Sequence, residues 1–160
     1  MGWYAMGVVD VLELMPKNHP KRAALVAVLR RLGAAIVSVQ DKTSGVWWQV
    51  LDAPAREKNY EEASASSMFV YALAKGARNG WLDAKKYDAA MTRGLAGIIG
   101  KFVETDATGQ VNLKGICQVA GLGGNPYRDG SFAYYTSTDI AVNDPKGVGA
   151  FILASTARGQ

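Results

Sequence analysis

A chain of 160 residues that is 49% hydrophobic and 20% charged is long enough to bury one core and too apolar to be disordered. Its net charge of +4 is spread over helix faces and helix ends, with no basic stripe interleaved with aromatics, which argues against a nucleic-acid surface and leaves a small anionic substrate compatible. The lone Cys117 has no partner for a disulfide or a zinc site, and no apolar run approaches the roughly 20 residues that span a bilayer.

Apolar spacing predicts five helices within one domain covering residues 1–160. The first, over residues 2–14, starts in full helical register with no capping residue before it, as though the helix had been cut. It stops ahead of Pro16, and PKNHP reads as a turn. The second, over 21–40, carries Leu25, Val28, Leu29, Leu32, Ile36 and Val39 on one stripe. A loop with Gly45, Trp47 and Trp48 follows, in which VWWQVL reads as a short extended piece. The third helix, over 61–78, opens on Glu61 and Glu62, which suit the helix dipole, and Gly80 stops it. The fourth, over 84–103, has Asp83 as its cap and Tyr87, Met91, Leu95 and Ile98 as its stripe. A long Gly-rich segment, 105–145, holds a hairpin-like DATGQVNL and the run QVAGLGGNPYRDGSFAYY. A loop of that length inside a compact domain is usually functional. The last helix covers 146–157.

GWYAMGVVDVL, ASASSMFVYALAKG and GVGAFILAS are rich in small residues and apolar almost all round, as buried helices are. The second and fourth helices are amphipathic and charged. Inner and outer helices therefore alternate, which is the pattern of an all-α toroid whose loops build a site at one end. Twelve helices close such a ring, and five are predicted here.

The segments MGWYAMGVVDVLELMP, GVWWQVLD, NYEEASASSMFVYALAKG, VAGLGGNPYRDGSFAYY and NDPKGVGAFILA resemble, in order, the C-terminal half of glycoside hydrolase family 105. These are the unsaturated rhamnogalacturonyl hydrolases, related to the unsaturated glucuronyl hydrolases of family 88. The resemblance implies part of an (α/α)6 barrel with no metal or other cofactor. It implies a substrate from pectin: an unsaturated uronic-acid oligosaccharide with a 4,5-unsaturated galacturonate linked to rhamnose. In that chemistry an aspartic acid protonates the vinyl-ether double bond, water adds, and the hemiketal expels the sugar, unlike the two-carboxylate route of ordinary glycosidases. The family's acid lies in a Trp-x-Asp context that does not occur in this sequence, and its Trp-x-Arg pair is also absent. No catalytic residue is therefore assigned. Trp3 corresponds to the family tryptophan at a sugar ring, although an aromatic at the start of an apolar helix otherwise reads as core.

The remaining candidates have two readings each. Trp47 and Trp48 flank the site mouth, with Gln49 as donor to hydroxyls, or they pack on helix ends. Glu62, Ser64 and Ser66 let inner helices approach closely, or Glu62 orients a ligand hydroxyl. Arg128, beside Tyr127, binds a substrate carboxylate or braces its loop by pairing with Asp129. GLGG lacks the ending and context of a phosphate loop. His19 reads as a surface turn residue, Cys117 as a buried structural thiol, and Asp10 as a group that satisfies a neighbouring helix terminus rather than one pointing into the barrel.

The expected protein is thus cytoplasmic and binds no membrane. The competing reading is a non-catalytic half-barrel for carbohydrate binding or assembly. An epimerase or lyase on the same toroid would want a barrel base that His19 does not provide. A half-barrel leaves apolar flanks uncovered, so the isolated chain is expected to form a homodimer or lose order.

Overall fold

The computed structural model describes residues 1–54 and 56–158. Its elements run α1 (Gly2–Leu14), α2 (Arg22–Ser38), α3 (Ala63–Arg78), α4 (Ala84–Phe102), β1 (Val103–Thr105), β2 (Val111–Leu113), β3 (Ile116–Cys117), α5 (Phe132–Thr136), β4 (Ile140–Ala141) and α6 (Pro145–Arg158). All five predicted helices form. Asp83 caps α4 by accepting from the Lys85 and Lys86 amides, and Gly80 takes a φ of 72° just beyond α3, as a helix stop requires.

The fold is organised around α3. Its buried residues, from Ala63 to Gly76, occupy every face of the helix, and α1, α4 and α6 pack around it. α6 settles against α3 and buries Ala150, Ala154 and Ala157, an i, i+4, i+7 stripe of small residues. α1 buries Ala5, Val9 and Leu12 at the same spacing. α2 and α4 form the outer layer, each burying one stripe: Leu29, Leu32 and Ile36 on α2, and Tyr87, Met91 and Ile98 on α4. The expectation that α1 and α6 are buried all round is corrected. α1 exposes Trp3, Tyr4, Val11 and Leu14, and α6 exposes Ile152 and Leu153, because each packs on the rest of the chain through one flank only.

The segment after α4 is more ordered than a long loop. β1 and β2 pair antiparallel, Val103 opposite Leu113, around a turn in which Asp106 accepts from Thr108 and Gln110. β3 and β4 pair in the same sense, Ile116 opposite Ala141, and α5 fills part of the connection between them. Two-residue strands and a five-residue helix are too short for periodicity to register in the sequence.

Two polar networks hold α1 in place. The Arg22 guanidinium donates to the Leu12 and Met15 carbonyls at 2.6 and 2.8 Å, and so satisfies the C-terminal end of α1. Asp10, expected to satisfy a neighbouring helix terminus, does not do so. Asp10 instead accepts from the Tyr71 hydroxyl at 2.7 Å and from the Lys75 ammonium at 2.8 Å, both on α3. Lys75, 5% exposed, also pairs with Glu13 at 2.6 Å. Burial works against the ammonium, but the hydrogen bonds it donates to Asp10, Glu13 and Tyr71 together outweigh it, and the pKa rises above the ordinary lysine value.

Replacing Lys75 with Met is expected to cost about 1–3 kcal/mol in chemical denaturation near neutral pH, since it leaves the Tyr71 and Asp10 cluster without its cation. A raised folded-state pKa stabilises fully below the unfolded value of 10.5, and the gain fades as pH climbs towards the higher folded value. The stability gap between parent and K75M should therefore narrow above pH 10.5 and stay constant from pH 7 to 9.

Candidate functional site

The loop after α2 is built on an alternation. Trp48 bridges Glu61 in an isolated antiparallel contact, and the Gln49 amide donates to the Tyr60 carbonyl at 2.7 Å, so residues 47–49 are locally extended. Successive side chains of an extended segment point to opposite sides. Trp47 points inward and is fully buried; its indole N–H donates to the Ile36 carbonyl at 2.7 Å, and its ring meets Phe69 edge-on at 5.5 Å. Trp48 points outward and is half-buried. Its indole N–H donates to Asp41 at 3.1 Å. Asp41 in turn accepts from the Ser44 and Thr43 amides, and the Ser44 bond above all holds its carboxyl below the usual range. Trp47 is thus a core residue and not a substrate contact, a correction that follows from its burial.

Trp48 and Gln49 open onto a cleft of about 650 Å³ at the N-terminal ends of α1 and α3. Trp3 faces it from α1 with 62% of its surface exposed, and Met68 lies along its floor on α3. Phe132 and Tyr135 of α5 form the opposite wall with Arg56, whose guanidinium stacks 3.8 Å from the Phe132 ring centre. Asp52 and Lys146 lie at its border, the latter paired with Asp144 at 2.9 Å.

Glu62 borders the cleft but faces its own helix. Its carboxylate accepts from the Ser64 amide and hydroxyl, from the Ala65 amide at 2.5 Å, and from the Cys117 amide at 2.9 Å on β3. It is 1% exposed, and every hydrogen bond it makes holds backbone or Ser64. This is a helix cap that also anchors β3, so the expectation that it orients a ligand is not supported by its geometry. Ser64 and Ser66 are buried and spend their hydroxyls on the Glu62 carboxylate and carbonyl, which fits their reading as packing residues, and Ser67 back-bonds to the Ala63 carbonyl in the same way. Cys117 is buried and accepts from Gln49 at 3.3 Å. The Tyr60 hydroxyl is buried beside that thiol without a well-formed hydrogen bond, and burial pushes its pKa up.

The Gly-rich turn touches the cleft only at its two ends, through Ala120 and Gly130, and Arg128 and Tyr127 lie outside it. The Arg128 guanidinium donates to the Gly123 carbonyl at 2.8 Å and lies against Gly121 and Gly124, where a side-chain carbon would collide with it. Arg128 therefore braces its loop, and its partner is backbone rather than Asp129, which accepts from the Ser131 amide. Tyr127 is 75% exposed on a separate groove. His19 accepts from the Lys21 amide in the exposed turn, as read above. Sequence reasoning missed Arg56, Phe132 and Tyr135, because only the folding of α5 against the 48–56 loop brings them to the cleft. Among the described residues no group of three His, Cys, Asp or Glu side chains is placed to hold a metal ion, and no helix is long and apolar enough to cross a membrane.

The chain's relatives carry the same fold. A solved glycoside hydrolase from family 105 of C. acetobutylicum is 48% identical and superposes with a TM-score of 0.94, covering 99% of this chain and 44% of that one. A possible family 105 member from Salmonella enterica is 26% identical at a TM-score of 0.79, over 98% of this chain and 37% of that one. The chain thus spans well under half the length of these solved structures. It is 42% identical over 159 residues to the 24.9 kDa protein in the picA locus of Rhizobium radiobacter, covering 96% of this chain and 67% of that protein. It is 30% identical over 92 residues to an unsaturated 3S-rhamnoglycuronyl hydrolase of Formosa agariphila, covering 58% of this chain and 24% of that protein. The family profile of Glycosyl Hydrolase Family 88 matches residues 1–159, so this helical partial barrel, open along α1 and α6, belongs to that family.

Proposed function

We propose that the chain supplies one wall of the sugar site of a hydrolase acting on unsaturated galacturonyl-rhamnose oligosaccharides from pectin, by hydration of the 4,5 double bond. The observation that carries this reading is the pair of accessible tryptophans, Trp3 and Trp48, on one cleft with Gln49 between aromatic walls. Apolar ring faces stack on the C–H faces of sugars while amides and charged groups meet the hydroxyls. The rhamnoglycuronyl hydrolase of Formosa agariphila lends the substrate class its support. The chain contributes binding and not the acid. Of the two carboxylates that border the cleft, Glu62 is committed to its cap, and Asp52 is exposed at the rim.

A second reading, a non-catalytic half-barrel that binds carbohydrate or assembles, is favoured by the exposed apolar faces. Leu14 is 85% exposed on α1 and Ile152 is 55% exposed on α6. Surface of this kind favours association, and a second copy would cover it.

Three outcomes test these readings. The chain should bind the unsaturated galacturonyl-rhamnose disaccharide without consuming its conjugated ultraviolet absorbance; loss of absorbance would overturn the assignment of no acid to this chain, and no binding would overturn the sugar-site reading. Trp48→Ala and Trp3→Ala should each weaken that binding about 2–12-fold in titration, the worth of one stacked aromatic face. Trp47→Ala should instead lower stability by about 3–5 kcal/mol. The parent chain should run as a dimer in light scattering at micromolar concentration, and L14K with I152K should make it monomeric; a monodisperse parent monomer that melts cooperatively would refute the association.

A further inference from the structure

A second groove, of about 930 Å³, lies behind the cleft wall. Arg56 and Phe132 line both spaces, so their stack is the partition between them. α5 carries the same division. Tyr135 faces the cleft, while Tyr134, its neighbour in sequence, faces the groove and meets it edge-on at 5.5 Å. The groove presents one large aromatic face to solvent, Tyr127, beside the carboxylate of Asp129 and the hydroxyls of Ser131 and Ser137. Lys58 borders it in the left-handed backbone region, at a φ of 70° that a residue with a side chain adopts at some cost. Such strain gathers where a structure holds a ligand.

We infer that this groove is a second carbohydrate subsite, which takes the sugar residues next to those in the cleft and selects for oligosaccharides longer than a disaccharide. The inference rests on the sugar-site reading of the cleft. An unsaturated uronate is the terminal residue of its oligosaccharide, so the chain leaves the cleft in one direction. The groove shares a wall with the cleft and offers what a pyranose ring needs: the Tyr127 ring for its C–H face, and for its OH groups the exposed Asp129, Ser131 and Ser137, each of which keeps hydrogen-bonding capacity beyond the bond it makes within the loop. Its charges balance, Arg56 and Lys58 against Glu57 and Asp129, so it admits both residues of the repeat beyond the disaccharide: the galacturonate beside Arg56 at the shared wall, and the neutral rhamnose beyond it on Tyr127.

The test compares the unsaturated galacturonyl-rhamnose disaccharide with the tetrasaccharide of the same repeat, titrated into the full chain and followed by amide chemical shifts. The disaccharide should move the Trp3 and Trp48 indoles and leave the groove unmoved, whereas the tetrasaccharide should also move Tyr127, Ser131 and Ser137 and bind about fivefold tighter. Tyr127→Ala should abolish that advantage and leave disaccharide affinity unchanged. Its side chain is largely exposed, so the fold should survive. Equal affinities with no shifts in the groove would overturn this subsite alone. Failure of both sugars to bind would overturn the cleft reading and this one with it. A tetrasaccharide advantage that survives Y127A would place the extra sugars elsewhere.

Discussion

The structure depends on the seating of Trp47. A single indole, with no exposed surface, donates to the Ile36 carbonyl of α2, lies edge-on to Phe69 of α3 and meets the Gly94 position of α4. Its backbone amide adds a bond to the Ser66 hydroxyl at 3.0 Å. Three helices are thereby fixed to one side chain. The room comes from glycine: a methyl group at Gly94 would press on the Trp47 ring, and one at Gly97 would strike the Ser44 carbonyl. The outer helix α4 approaches the loop only because these positions lack side chains.

That seating also makes the site. With residue 47 turned into the core, an extended chain has to turn residue 48 the other way. Trp48 is then held from behind by Asp41, which orients the ring while its outer face remains free. Glu62 does the equivalent work one element later. By capping α3 and accepting from the Cys117 amide, it binds the far end of the cleft to the central helix. The buried carboxylate of the site is spent on rigidity, which holds the cleft in shape.

The flanks of α1 and α6 show how far the chain reaches around the ring. Each helix packs on α3 through small or branched residues and leaves its opposite flank apolar and open. The end of the barrel opposite the cleft is closed on α1 by charge rather than by packing, through Lys75 with Asp10 and Glu13. The two ends of the α1–α3 interface are therefore chemically distinct: aromatic and accessible at the site, ionic at the other end.

How much of this was legible differs by element. Helices of 13 to 19 residues announce themselves by apolar spacing, so α1, α2, α3 and α4 could be read to within two residues at either end. Composition alone distinguished the small-residue helix α3 from the charged helices around it. The five segments that resemble family 105 reached the family, and with it the toroid. Side-chain direction was another matter. Trp47 and Trp48 are the same residue type one position apart, and only the pairing of that segment with Glu61 decided which ring entered the core and which faced the cleft. Glu62 read equally as a ligand group or a structural one until β3 arrived from 55 residues away to share the Oε1 that already accepts from Ser64. The Arg56–Phe132 wall joins a loop residue to the short helix α5, whose separation in sequence carries no periodic signal. Local spacing and composition, which depend on short-range sterics and solvation, therefore determined the helices, and the resemblance of whole segments gave the family. The cleft was decided by contacts between distant segments, because a side chain acquires its direction and its partners only once the backbone around it has packed.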